Sequence, residues 1–135
     1  MNIELTQKQF RLLLDMVYIG NWVLNSARGE DRITAYDDVE SRMFFEAMRN
    51  GMPELAQFRE GTIQASRAYI DGGVHEAIMD YEDAMFFDIL AEELSRRDMQ
   101  AEGLRAEDGE EMERRIAEYT AEFEQSGVEH IKVEM

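Results

Sequence analysis

The sequence predicts a mainly α fold: a compact helical domain of four longer helices and a short one around a central N-terminal helix. Three observations predict it. Phe10 to Leu24 is apolar or aromatic at most positions, over a length no other stretch matches. Apolar residues recur at helical spacing in four separate segments. Glycines, together with the single proline, punctuate those segments. A length of 135 residues fits one domain spanning 1–135, and a chain of that size can bury a core without staples.

Taken in order, Asn2 to Leu5 alternates polar and apolar residues and predicts a short strand. Thr6 and Gln9 have capping-box spacing, so the first helix is expected from about Gln7 to Ser26. Phe10, Leu13, Val17 and Leu24 make one apolar row on it, and Leu12, Met16, Ile19 and Val23 another. A helix apolar around most of its circumference is expected to be covered by neighbours on nearly every side. The remaining stripe is Arg11, Asp15, Tyr18 and Trp22, with Arg11 and Asp15 at ion-pair spacing. Residues 27–33 read as a charged loop, after which Thr34 is expected to cap a second helix containing Val39, Met43 and Ala47. Gly51 ends that helix, and Pro53 starts a short one over Glu54 to Arg59. Gly61 to Gly73 fits strand, turn or loop, with Asp71-Gly72-Gly73 breaking the chain.

A long helix follows from Val74 to about Asp98, with Val74, Ile78, Tyr81, Met85 and Ile89 as its core row. Ion pairs Glu92–Arg96 and Glu93–Arg97 are expected along it. After a polar linker, Met99 to Gly109, the last helix runs from about Glu110 to Gln125 on Met112, Ile116, Tyr119 and Phe123. Glu110–Arg114 and Glu111–Arg115 are its expected pairs, and Gly127 its left-handed cap. Val128 to Val133 predicts a strand, so the two termini are expected to form a small two-stranded pairing.

The charge is distinctive. Thirty acids against fourteen bases give −16, and thirteen of the excess charges lie in residues 74–135. Phosphate contacts need a basic face, so direct nucleic-acid binding and anionic membranes are both disfavoured. The absence of cysteine excludes disulfides and thiolate chemistry, and the N-terminus lacks the pattern of a signal peptide. The expectation is a cytoplasmic protein.

Several residue groups resemble a known set. Leu5-Thr6 with Gln9-Phe10, Val17-Tyr18-Ile19-Gly20-Asn21-Trp22, Tyr36-Asp37-Asp38-Val39-Glu40, and Phe123-Glu124 with Gly127-Val128-Glu129 form a pattern similar to a family of small acidic bacterial proteins of uncharacterised function. The resemblance implies a bacterial cytoplasmic protein and carries no activity.

Chemistry-bearing motifs are few. Asp37 with Glu40 and Asp80 with Asp83 are carboxylate pairs that could hold Mg²⁺ or Mn²⁺ from facing helices, the arrangement of a metal-dependent nucleotide hydrolase. With thirty acids in the chain, such pairs also arise by chance. His75 has Met79 where a zinc helix would place its second histidine, and His130 has no partner motif. No Walker loop, G-x-G-x-x-G or G-x-S-x-G is present, and no cofactor is called for. The strip Arg11, Asp15, Tyr18, Trp22 reads either as a ligand-facing wall completed by Asn21 and Asn25, or as a packed edge of the first helix. The leading expectation is a non-catalytic interaction or accessory protein, bacterial or phage, with a basic protein partner, and able to form a homodimer. The alternatives are the hydrolase and an acidic mimic of nucleic acid, similar in size and charge to small phage-encoded inhibitors. The mimic would present Glu76, Asp80, Asp83, Glu110, Glu111, Glu118 and Glu122 to a DNA-binding or defence protein. Function is expected on the acidic C-terminal half, or where that half meets Tyr18 and Trp22.

Overall fold

A computed structural model describes residues 1–105 and 107–135. The predicted linker Met99 to Gly109 includes Ala106, which lies outside the described residues. The fold is mainly α, with a small antiparallel strand pair. The chain divides into two compact units, Met1–Ile78 and Met79–Met135.

In the first unit, α1 (Gln7–Asn25) starts at the capping box the sequence predicts. Thr6 Oγ1 accepts from Gln9 N at 3.1 Å, and Gln9 Oε1 accepts from Thr6 N at 2.9 Å. Helix α2 (Thr34–Arg49) begins one residue earlier than a Thr34 cap would place it: Ile33 is the cap position and no side chain caps the helix. Asn25, reaching from the end of α1, holds Ile33 instead. The glycine stop is present, since Gly51 adopts φ +87. The proline-led helix is only the 3₁₀ turn Pro53–Leu55, because the residues after it form β1 (Ala56–Arg59).

The hairpin of β1 with β2 (Thr62–Ala65) is the sheet of this fold. Its two-residue loop, Glu60-Gly61, has positive φ at both positions, +52 and +81, as the right-handed twist of the strands requires. The predicted pairing of the termini is therefore corrected. Neither Asn2–Leu5 nor residues 128–133 form a strand, and Ile3 and Val133 are exposed. The two segments carry two and three apolar residues, all exposed, and do not support a free-standing pair. After β2, Ser66 caps the single turn α3 (Arg67–Tyr69), and a π turn over Ile70–Val74 bends through Gly73 at φ +113. Asp71-Gly72-Gly73 thus redirects helical backbone rather than ending it. Leu14, Phe44, Ala47, Met52, Ala56, Ala65, Tyr69 and Val74 form one contiguous core, with Phe44 and Tyr69 packed edge to face at 4.9 Å.

Helix α1 is not covered on nearly every side. Leu14, Asn21 and Asn25 are its buried residues, whereas Leu12, Met16 and Val23 stand exposed. Its packing partners in this unit, α2 foremost, cover one face.

Helix α4 (His75–Ala101) is longer than predicted, and the boundary between the units falls within it. Beyond Ile78 its expected core row is kept only in part, with Met85 half-buried. Tyr81 and Ile89 are exposed, and the buried positions are Ala91, Ser95 and Met99. Apolar residues lie around the whole helix, so periodicity alone selected the wrong row. In the second unit, α5 (Gly109–Ser126) buries Met112 and Phe123 and ends at Gly127 with φ +55. Phe87 and Tyr119 pack on Phe123. No helix among the described residues is long and apolar enough to cross a membrane.

Candidate functional site

The first unit carries two neighbouring cavities, built where the second half of α1 faces α2. One, of about 350 Å³, is lined by Tyr18, Trp22, Asn25, Ser26, Arg32 and Glu40, with Asn21 between them. The other, of about 510 Å³, shares Tyr18, Arg32 and Glu40 and extends past Asp37, Asp38 and Ser41 to β2. Both volumes fall in the range of small-ligand pockets.

The scaffold of the site is a set of polar side chains whose hydrogen bonds are spent within the fold. Asn25 Nδ2 donates to Asn21 Oδ1 at 2.7 Å and to the Ile33 carbonyl at 3.0 Å, while Asn25 Oδ1 accepts from Ile33 N at 2.8 Å. Asn21 Nδ2 donates to Asp37 Oδ1 at 2.9 Å. Arg32 clamps Asp37 through two bonds, Nε to Oδ2 at 2.7 Å and Nη2 to Oδ1 at 2.6 Å. This planar pairing, with the Asn21 contact, holds the Asp37 carboxyl below its usual range. Among the described residues no buried side-chain nitrogen or oxygen lacks a partner.

Glu40 differs from these groups. It joins no ion pair among the described residues, since Arg32 is engaged by Asp37. Burial pushes its carboxyl up to about 7; the neighbouring Asn21 amide and Arg32 oppose that rise, and the Asp37 charge adds to it. The carboxyl is poised to change charge near neutrality on the wall of a cavity.

Aromatic rings line the adjoining wall. Tyr18 and Trp22 lie nearly parallel, with centroids 6.4 Å apart. His75 sits edge-on to both, at 5.5 Å from Tyr18 and 4.8 Å from Trp22. Tyr18 Oη and His75 Nε2 share a hydrogen bond of 2.7 Å. Burial raises the Tyr18 hydroxyl above its usual value, and Glu40 adds to the effect.

The predicted strip therefore divides in two. Tyr18 and Trp22 line the first cavity with Asn21 and Asn25. Arg11 and Asp15 pair at 2.7 Å and turn to Tyr69, whose hydroxyl donates to Asp15 Oδ1 at 2.8 Å. The Arg11 guanidinium also lies over the Tyr69 ring at 4.9 Å. These two residues anchor the core tyrosine and do not line the site.

Among the described residues no three histidines, aspartates or glutamates are grouped to hold a metal. Asp37 is committed to Arg32 and Asn21, and Asp80 and Asp83 belong to the other unit. Of the predicted acidic surface, Glu111 pairs with Arg114 and Arg115, Glu118 with Arg114, and Glu122 with His130. Glu76, Asp80, Asp83 and Glu110 are exposed. The pairs Glu93–Arg97 and Glu110–Arg114 are replaced by Glu93–Arg96 and Glu111–Arg114.

Sequence reasoning missed Arg32 and the contact of His75 with Tyr18. An i, i+4 asparagine pair on an otherwise apolar helix was the available signal, since buried carboxamides need partners. No family model matches this chain, and no curated protein or solved structure is significantly similar to it.

Proposed function

We propose that the chain is a non-catalytic binding protein that engages a basic protein partner through the α1–α2 cavities. One observation carries this reading. Most polar groups around the cavities are used to hold the fold, and what remains on their wall is a carboxyl that joins no ion pair among the described residues, beside two aromatic rings. Acid–base or covalent catalysis would call for a nucleophile or second acid group within hydrogen-bond reach of Glu40. The surrounding charge agrees with a basic partner: the two cavities are lined by Asp37, Asp38 and Glu40 against Arg32 alone. The overall charge of −16 steers such a partner from a distance.

The test is calorimetric titration with a lysine-rich peptide at constant ionic strength. This reading expects Glu40→Gln to weaken binding by about ten-fold or more, while Asp80→Asn with Asp83→Asn reduces it only through the general field. Equal losses in the two variants would favour the acidic C-terminal surface, and with it the nucleic-acid mimic, over this reading.

A specific observation favours self-association as an accompanying property. Leu12, Met16 and Val23 form an exposed apolar row on α1. Light scattering of Met16→Glu against the natural chain tests it: a dimer that the substitution dissolves supports the idea, and a natural chain that is monomeric at all concentrations refutes it.

A further inference from the structure

We infer that the smaller α1–α2 cavity is a recognition site for one organic cation, a primary ammonium or a guanidinium, with Glu40 as counter-ion and Trp22 and Tyr18 as its aromatic wall. The inference deepens the binding reading above by naming the group that enters.

Three features of the cavity select a cation. First, Glu40 is the acid on its wall and joins no ion pair among the described residues, since Arg32 is held by Asp37. A positive group placed beside it supplies what the fold leaves out. Second, the wall beside Glu40 carries two aromatic rings, Tyr18 and Trp22, and aromatic rings attract cations and gain little from anions. Third, the one basic residue of the lining is already neutralised, because Arg32 gives two hydrogen bonds to Asp37. An anion entering the cavity would meet a spent guanidinium and an uncompensated carboxyl. A volume of about 350 Å³ accommodates an alkylammonium head with its chain along the aromatic wall.

The charged and titratable groups that face Glu40 define how pH acts on the site. From α2 and the preceding loop these are Asp37, with Asp38 further along the lining, and Arg32; from α1 it is Tyr18. His75 stands behind Tyr18. Asp37 stays ionised and Arg32 stays charged across the neutral range, so Glu40 is the lining group that changes charge there.

Trp22 is the single tryptophan of the chain and lines the cavity, so its fluorescence reports occupancy directly. The probes are n-butylammonium and butylguanidinium, with n-butanol and butyrate as neutral and anionic counterparts, all at constant ionic strength. The expected result is a saturable change with both cations and none with the counterparts. Affinity for n-butylammonium should rise about ten-fold between pH 6 and pH 8, as Glu40 ionises. Glu40→Gln should abolish both the response and its pH dependence, with circular dichroism confirming the fold. Calorimetry on Trp22→Leu provides a readout that does not use the fluorophore, and a several-fold weaker affinity is expected there. A response to butyrate equal to that of the amine, or an undiminished response in Glu40→Gln, overturns the inference.

A lysine-containing peptide separates the two sources of the cation. Tighter binding of the peptide than of free amine points to a partner's side chain. If the amine binds and the peptide is excluded, the cation site stands and the protein-partner reading falls. If the peptide binds calorimetrically while Trp22 stays silent to peptide and amine alike, the partner reading survives and the cation site fails.

Discussion

The two units solve the same problem with different materials. The first gathers Leu14, Phe44, Ala47, Met52 and Tyr69 into one core and fastens its periphery with buried or half-buried polar groups. The second buries fewer residues, chiefly Ala91, Ser95, Met99, Met112 and Phe123, and dresses its helices in exposed ion pairs. Arg115 bridges Glu111 and Glu102, and the Tyr119 hydroxyl donates to Asp98. Exposed pairs contribute little and are screened by salt, whereas a buried hydrogen bond cannot be lost without stranding its partner. The difference argues that net charge and function need not coincide. Most of the excess acid lies in residues 74–135, yet the organised polar site is in the first unit.

Core truncation should separate the units most strongly. Phe44, fully buried against Tyr69, is expected to lose about 5 kcal/mol on change to alanine, and Phe123, which keeps some exposure, about 3 kcal/mol. Denaturant melts of both variants, followed by circular dichroism and Trp22 fluorescence, check the order. Equal losses would break the comparison.

Next in size is Asn25→Ala, which strands the Ile33 backbone and the Asn21 carbonyl. A loss of about 2 to 3 kcal/mol is expected, with altered Trp22 emission because α1 and the start of α2 part at the cavity. A change within about 0.5 kcal/mol would mean that water replaces the amide freely.

Glu40 gives a smaller effect with a defined pH window. Its folded-state carboxyl lies above the usual value of 4.5, at about 7, so the folded chain holds a proton there that the unfolded chain releases. Its contribution is therefore most favourable below the usual value and is lost as pH rises toward neutrality. Glu40→Gln should raise stability near pH 8 by about 1 kcal/mol, allowing for partial solvent screening, and leave it nearly unchanged near pH 4.5. Melting curves at the two pH values decide it, and a variant destabilised at pH 8 would reverse the sign of the argument.

The smallest effect is expected from Arg114→Ala. It removes two exposed pairs, with Glu111 and Glu118, and its slight destabilisation should vanish in 1 M NaCl. A loss that survives high salt would show that the second unit depends on its charges more than its exposure implies.

The legible and illegible parts of the chain divide along the same lines. Thr6 with Gln9, Gly51, and Gly127 marked helix ends correctly, because caps are local chemistry written in adjacent residues. The hairpin was hidden because its turn is Glu60-Gly61, and a glutamate at positive φ is not a turn signal. Tyr69, the largest fully buried side chain, sits in the stretch that periodicity could not assign. On α1 the sequence overstates burial within the first unit: Leu12, Met16 and Val23 have the composition of a core row without a neighbour in that unit to cover it. The cavity was half visible. Tyr18, Trp22, Asn21 and Asn25 follow from helical spacing, whereas Arg32 and Glu40 join them only through the way the α1–α2 loop folds back. Helical spacing pairs Glu40 with Asp37, whereas Arg32 clamps Asp37 and leaves Glu40 outside any ion pair among the described residues.

The central claim is that Glu40 is a half-buried cavity-wall carboxyl that takes a cation as its partner, and carbon-detected NMR of its side-chain carboxyl tests that claim most directly. The account predicts a titration midpoint of about 7 in the free protein, moving downward when n-butylammonium saturates the cavity. A midpoint at the usual glutamate value, unmoved by the amine, would contradict it.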